Sequence, residues 1–202
     1  MVYEKIKNIK HKKIFIFVMI LVLISLVIQI MNAVIEPMGY FHPDYDKINI
    51  SPILNKEIFS ENDYKELIYQ TGLGKTAIDE IMKEQGGIDK IFKFQEDFFR
   101  NNNALCESIG IITSQESIVN SKGKAMYGFD LAPYENGYVL ITKATHSLGW
   151  RHGHAAIVTD AEKGETLEAI LLGSNSQLQD INKWRVYPSF IMLKLKDTSQ
   201  DT

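Results

Sequence analysis

The chain has 202 residues, 45% hydrophobic and 23% charged, with a formal net charge of −3. That composition fits one globular domain, or one domain with a small extra lobe, and it argues against a nucleic-acid partner, because the one concentrated basic run lies at the N-terminus. A single cysteine, Cys106, excludes an intramolecular disulfide.

Lys5, Lys7, Lys10, Lys12 and Lys13 precede an uncharged run from Ile14 to Ile35, whose polar members are Ser25, Gln29 and Asn32. At ~1.5 Å per helical residue this run can cross a hydrocarbon core of ~30 Å. Lysines before it and Glu36 after it favour an inside N-terminus. The expected arrangement is a basic cytoplasmic tail over 1–13, a single-pass anchor in the cell membrane over 14–35, and the remainder outside. A cleaved signal peptide fits less well. Met31-Asn32-Ala33 is a poor small-x-small site, and the run exceeds the usual signal core of about 7–15 residues. A buried core helix fits least, because no face of the run is polar.

Residues 36–53 contain Pro37, Gly39, Pro43 and Pro52 and read as an extended linker. A helical lobe is expected over 54–127. Ser60, with Asp63 three residues on, has capping-box spacing and predicts a helix over 61–70. Gly72 and Gly74 interrupt it. Thr76 is the expected cap of a second helix carrying Ile78, Ile81 and Met82, which Gly86-Gly87 ends. Ile88, Ile91, Phe92, Phe94, Gln95, Phe98 and Phe99 mark a third, over 88–101. Gly72-Leu73-Gly74-Lys75-Thr76 resembles a phosphate loop only superficially, since Tyr69 stands where its first glycine is needed. Over 104–127 the pattern predicts a strand at Ile109–Thr113 and a helical turn at Ser114–Val119.

From Gly137 the periodicity becomes that of strands, predicted at 138–142, 154–159, 166–171 and 190–195. Asp160 to Gly164 forms a turn and 173–176 a loop. The expected sheet, over 128–202, is an antiparallel meander, so the fold class is α+β. The stretch G-W-R-H-G-H-A-A-I-V-T-D at 149–160 carries the chemistry. His152, His154 and Ala156 share one strand face. Glu168 follows His154 by fourteen residues, a hairpin's spacing. A carboxylate bonded to one ring nitrogen fixes the tautomer and leaves the other nitrogen to take a proton from a nucleophile. The candidate catalytic pair is therefore His154 and Glu168. A turn centred near Ala161 sets them directly opposite. A bulge at Gly164 slides them about two pairs apart, beyond reach. His146 and His152 read as wall or surface residues. A zinc site from His152, His154, Glu168 and His146 rests on a lone H-x-H and is the weaker alternative, and no metal or cofactor is expected.

The segments G-Y-V-L-I-T (137–142), G-H-A-A-I-V (153–158), L-E-A (167–169) and W-R-V-Y-P-S (184–189) together resemble the circularly permuted, papain-like branch of the NlpC-type cysteine peptidases. Y-Q-T-G-L-G-K at 69–75, with the phenylalanine-rich helix after it, is similar to the helical lobe of membrane-anchored members. The resemblance implies that His154 is the general base, that Glu168 orients it, and that the reaction is amide hydrolysis through a thioester on peptidoglycan or related cell-wall peptides. It also implies a nucleophilic cysteine on a helix after the sheet, and no cysteine follows Cys106. The expectation is an incomplete or inactive hydrolase, with a non-catalytic envelope protein as the alternative. A sheet lacking that helix should expose apolar surface. Cys106, before the sheet, is a poor substitute nucleophile, since it is expected to follow a helix C-terminus, away from the positive end that activates a thiol.

Overall fold

The computed structural model describes residues 2–34, 43–110, 112–170 and 175–195. Helix α1 (Val2–Val34) contains a 19-residue stretch, Lys12–Ile30, long and apolar enough to cross a membrane. None of that stretch is buried against the rest of the chain. Ile35 and residues 36–42 of the expected linker lie outside the described residues.

Helices α2 (Ser51–Leu54), α3 (Glu61–Thr71), α4 (Lys75–Met82) and α5 (Gly87–Phe98) build the lobe. The Ser60 capping box forms as expected: Asp63 N–H donates to Ser60 Oγ at 3.2 Å, and Ser60 N–H to Asp63 Oδ2 at 2.9 Å. Gly72 closes α3 at φ 70°, and a Cβ there would meet the Phe98 ring at 2.8 Å, so glycine serves both the turn and the packing. Gly74, not Thr76, is the N-cap of α4. Ile50, Leu54, Leu67, Leu73, Ile78, Ile81 and Ile91 form the lobe core.

That core corrects the linker. Residues 43–54 belong to the lobe rather than to an extended tether. Ile50 is fully buried, and Tyr45 stacks on Tyr69 at 4.2 Å. Ile48 N–H donates to Gln70 Oε1 at 3.0 Å, while its carbonyl accepts from Gln95 Nε2 at 2.9 Å. Pro52 sits in the first turn of α2, where a missing amide leaves no bond unmade.

Among the described residues nine strands follow: β1 (Asn103–Ser108), β2 (Thr113–Val119), β3 (Val139–Thr142), β4 (Thr145–Ser147), β5 (Trp150–Arg151), β6 (His154–Asp160), β7 (Glu165–Glu168), β8 (Gln177–Asp180) and β9 (Ile191–Leu193). They form two antiparallel sheets, ordered β1-β2-β4-β5 and β8-β7-β6-β3-β9. The molecule is thus mixed helix and antiparallel sheet.

The first sheet was not expected. The helical lobe does not extend to residue 127: residues 103–119 form a hairpin, the predicted strand 109–113 covers its turn, and the predicted helical turn 114–119 is strand β2. Burial alternates only over Thr113–Glu116, where the buried positions are the polar Ser114 and Glu116, and Glu116 to Val119 are all buried, so β2 shows no alternation of apolar residues.

The second sheet is a meander with one departure. Strands β3, β6, β7 and β8 run side by side, but β9 returns to pair with β3 on the other edge. The strand predicted over 166–171 ends at Glu168, and Leu171, Gly173 and Ser174 lie outside the described residues. One face buries Tyr138, Leu140, Ala156, Val158, Ile181, Trp184 and Tyr187. On the other, Leu178, Leu167, Ile157, Val139 and Leu193 stand in register across all five strands. All but Val139 are exposed, an apolar row where an antiparallel sheet usually turns polar residues to water. Gly153 joins the sheets at φ 77°, where a Cβ would lie 2.6 Å from the Thr142 carbonyl oxygen.

Candidate active site

His154 opens β6, and Glu168 ends the neighbouring strand β7. The β6–β7 ladder carries an irregularity between Val158 and Asp160, so Glu168 stands opposite Ala156, two residues along from His154. This is the slid register, yet the two side chains meet: His154 Nε2 lies 2.5 Å from Glu168 Oε2. The expectation that this register puts them out of reach is corrected. Diagonal neighbours on one sheet face lie about 7–8 Å apart at the backbone, which an imidazole and a glutamate together span.

Glu168 is buried and receives four donors. Besides His154 these are the Lys183 ammonium, Thr166 Oγ1 at 2.8 Å and Trp184 Nε1 at 3.1 Å. Burial pushes the carboxyl pKa up, but the hydrogen bonds from His154, Lys183, Thr166 and Trp184 outweigh it and hold the value at about 2. Glu168 is therefore a fixed anion, and an ionised carboxylate only accepts. The Nε2 of a neutral His154 must then carry the proton, which leaves the lone pair on Nδ1.

Lys183 and Trp184 come from the 3-10 turn Ile181–Val186, capped by Asp180 Oδ1 accepting from Asn182 N–H at 2.8 Å. The Trp184 indole also stacks on His154, with ring centroids 5.6 Å apart and planes 16° from parallel. The imidazole is thus held by a bond at its edge and a ring on its face. Its side chain remains 14% exposed, and among the described residues Nδ1 has no hydrogen-bond partner. A base needs this arrangement: one nitrogen anchored, the other accessible.

Sequence reasoning found His154 and Glu168 and missed Thr166, Lys183 and Trp184. Thr166 lies two positions before Glu168 on the same strand face, a signal that period-two reading can detect. Lys183 and Trp184 reach the site through a turn that no local pattern links to β7.

The remaining candidates lie elsewhere. His146, expected at a wall or surface, is buried in β4 with Nε2 2.7 Å from Glu116 Oε1, and Arg151 Nη2 reaches the same oxygen at 2.5 Å. His152 pairs with Ser147 Oγ at 2.9 Å and does not join His154. Cys106 is half-buried on β1, opposite Glu116 in the first sheet, rather than after a helix C-terminus, and makes no hydrogen bond to His154. Among the described residues no three His, Cys, Asp or Glu are grouped to hold a metal ion. Comparison with family models, curated proteins and solved structures finds no match for this chain.

Proposed function

We propose that the five-stranded sheet carries the base half of a permuted, NlpC-type cysteine hydrolase site, held outside the cell by α1 and directed at amide bonds of cell-wall peptides. The observation that carries this reading is the His154–Glu168 pair, with Nε2 bound to a fixed anion, a partly exposed ring, and no hydrogen-bond partner for Nδ1 among the described residues. In the reaction, Nδ1 takes the proton of a thiol, and Glu168 stabilises the imidazolium. The thiolate adds to the amide carbonyl, the amine leaves with the proton from His154, and water cleaves the thioester.

Cys106 is not the thiol in this reading, so residues 36–202 alone show little or no amide turnover. A second reading, a non-catalytic envelope protein that keeps the sheet as a binding surface, is favoured by the placement of Cys106 in the other sheet. The test uses native protein captured with an antibody to the 54–103 lobe and assayed on a peptidoglycan-derived amide. Intact-mass analysis compares the product with the 23.1 kDa of this chain and locates its cysteines. Turnover abolished by a thiol alkylator and by His154→Ala, and untouched by Cys106→Ala, supports the hydrolase. Absence of turnover from the native product sinks it and leaves the second reading.

A further inference from the structure

The first sheet ends in two turns that lie side by side. One joins β1 to β2 between Ser108 and Thr113, with Ile109, Gly110 and Ile112 among the described residues, and the other is the two-residue turn Leu148-Gly149 between β4 and β5. The ladder pair Thr113↔Ser147 and the bond from Leu148 N–H to the Ile112 carbonyl, 2.8 Å, tie them together. Turn tips are normally polar. These two leave Ile109 58%, Ile112 41%, Leu148 43% and Trp150 78% exposed. Neither Ile109-Gly110-Ile111-Ile112 nor Leu148-Gly149-Trp150 contains a charge.

Two further features separate this tip from scattered surface apolar residues. Leu148 has φ 52°, the one non-glycine residue with positive φ among those described. Gly149 follows at φ 80°, so both central residues take the sign that a tight type I′ hairpin demands. Asn, Asp or Gly fill that first position without strain, and a leucine does not. The chain keeps a strained leucine where a relaxed polar residue would make the same turn. Beside it stands Trp150, whose indole pairs an apolar body with one N–H, the chemistry that settles at the boundary between headgroups and acyl chains.

We propose that these paired turns insert into the interfacial layer of a lipid bilayer and seat the domain against the membrane that α1 crosses. This rests on the reading of α1 as an anchor. Residues of strand β1, which leads into the first turn, contact α1. A tethered tip needs only modest affinity, because the anchor holds it at high local concentration.

The experiment uses the full chain in phosphatidylcholine–phosphatidylglycerol vesicles whose acyl chains carry bromine near the headgroup, a short-range quencher of tryptophan. Trp184 is fully buried, so Trp150 is the indole that lipid can reach. The chain is expected to float with the vesicles and to lose emission to the brominated lipid, and Trp150→Phe should abolish that loss. Leu148→Asn should raise the melting temperature by relieving the left-handed leucine, yet cut the lipid quenching at least twofold. A merely structural Leu148 would not move the two readouts in opposite directions. A chain that floats while Trp150 is quenched by aqueous iodide and not by brominated lipid overturns the insertion and leaves the anchor standing. Concentration-dependent protection from iodide without lipid quenching assigns the tip to a second copy and overturns it too. A chain that does not float overturns anchor and tip together.

Discussion

Each sheet holds one histidine–glutamate pair, and their surroundings set them apart. His146–Glu116 is sealed, with side-chain exposures of 2% and 0%, and His146 Nδ1 is buried without a hydrogen-bond partner among the described residues. His154–Glu168 has the same bond type and an equally buried carboxylate, but the His154 side chain is 14% exposed, and among the described residues its Nδ1 has no hydrogen-bond partner. The pairing alone therefore does not make a reactive site. In the proposed reading, the partly exposed imidazole sets the second pair apart. In the first sheet, the carboxylate's role is to satisfy a buried imidazole and the Arg151 guanidinium at once. In the second, Lys183, Thr166 and Trp184 fix the carboxylate so that the imidazole has one position to occupy.

The largest expected effect is on the sealed pair. Glu116→Ala leaves a buried imidazole without its acceptor, and among the described residues Arg151 is left with the Lys143 carbonyl at 2.8 Å. Breaking a buried pair by removing one partner costs about 3–5 kcal/mol, read as a shift of the urea midpoint. The imidazole nitrogen chemical shifts of His154 should not change. A stability loss below about 1 kcal/mol would show that Glu116 is replaceable and collapse the contrast with Glu168.

Glu168→Gln is next. It keeps the shape, removes the charge facing Lys183, and should cost about 1.5–3 kcal/mol, the range for hydrogen bonds to a charged group. It should also release the tautomer and orientation of His154, visible as a changed imidazole nitrogen spectrum. The same carboxylate sets a pH dependence. Its folded pKa of about 2 lies below the ordinary carboxylate range. Its stabilisation is therefore complete above the unfolded value and disappears as pH falls through the folded one. Wild-type melting should fall between about pH 5 and pH 2, and Glu168→Gln should flatten part of that fall. Parallel curves for the two proteins would mean that the four donors do not hold the carboxylate as described.

Local signals carried much of this arrangement into view. The Ser60–Asp63 capping box, strands β3 and β6, and the turn after Asp160 all follow from spacing along the chain. So did the choice of His154 and Glu168, because a hairpin brings residues fourteen apart together. What stayed hidden depends on other kinds of contact. Ser114 and Glu116 face inward, which erased the apolar alternation of β2. Prolines in 43–54 suggested a tether, but packing of Ile50 and the side-chain amides of Gln70 and Gln95 made that segment part of the lobe. Strand β8 pairs through Leu178, which is exposed, so burial left no mark on its sequence. The diagonal contact escaped because register was judged by directly opposed pairs, and side-chain length decided the outcome.

The smallest stability effect belongs to the residue with the largest proposed chemical role. His154→Ala removes a partly exposed ring whose parallel contact with Trp184 contributes about 0.5–1.5 kcal/mol. Glu168 keeps Lys183, Thr166 and Trp184 as donors, so no buried charge is stranded. The expected cost is near 1 kcal/mol, well below that of Glu116→Ala in the same urea measurement. Hydrolysis by the native product should disappear with it. On the proposed reading, a ring that contributes little to the fold, held by Glu168 and Trp184, is placed for chemistry. If His154→Ala instead unfolds the protein as readily as Glu116→Ala does, the two pairs are equivalent supports of their sheets, and Nδ1 of His154 has no claim to be a base.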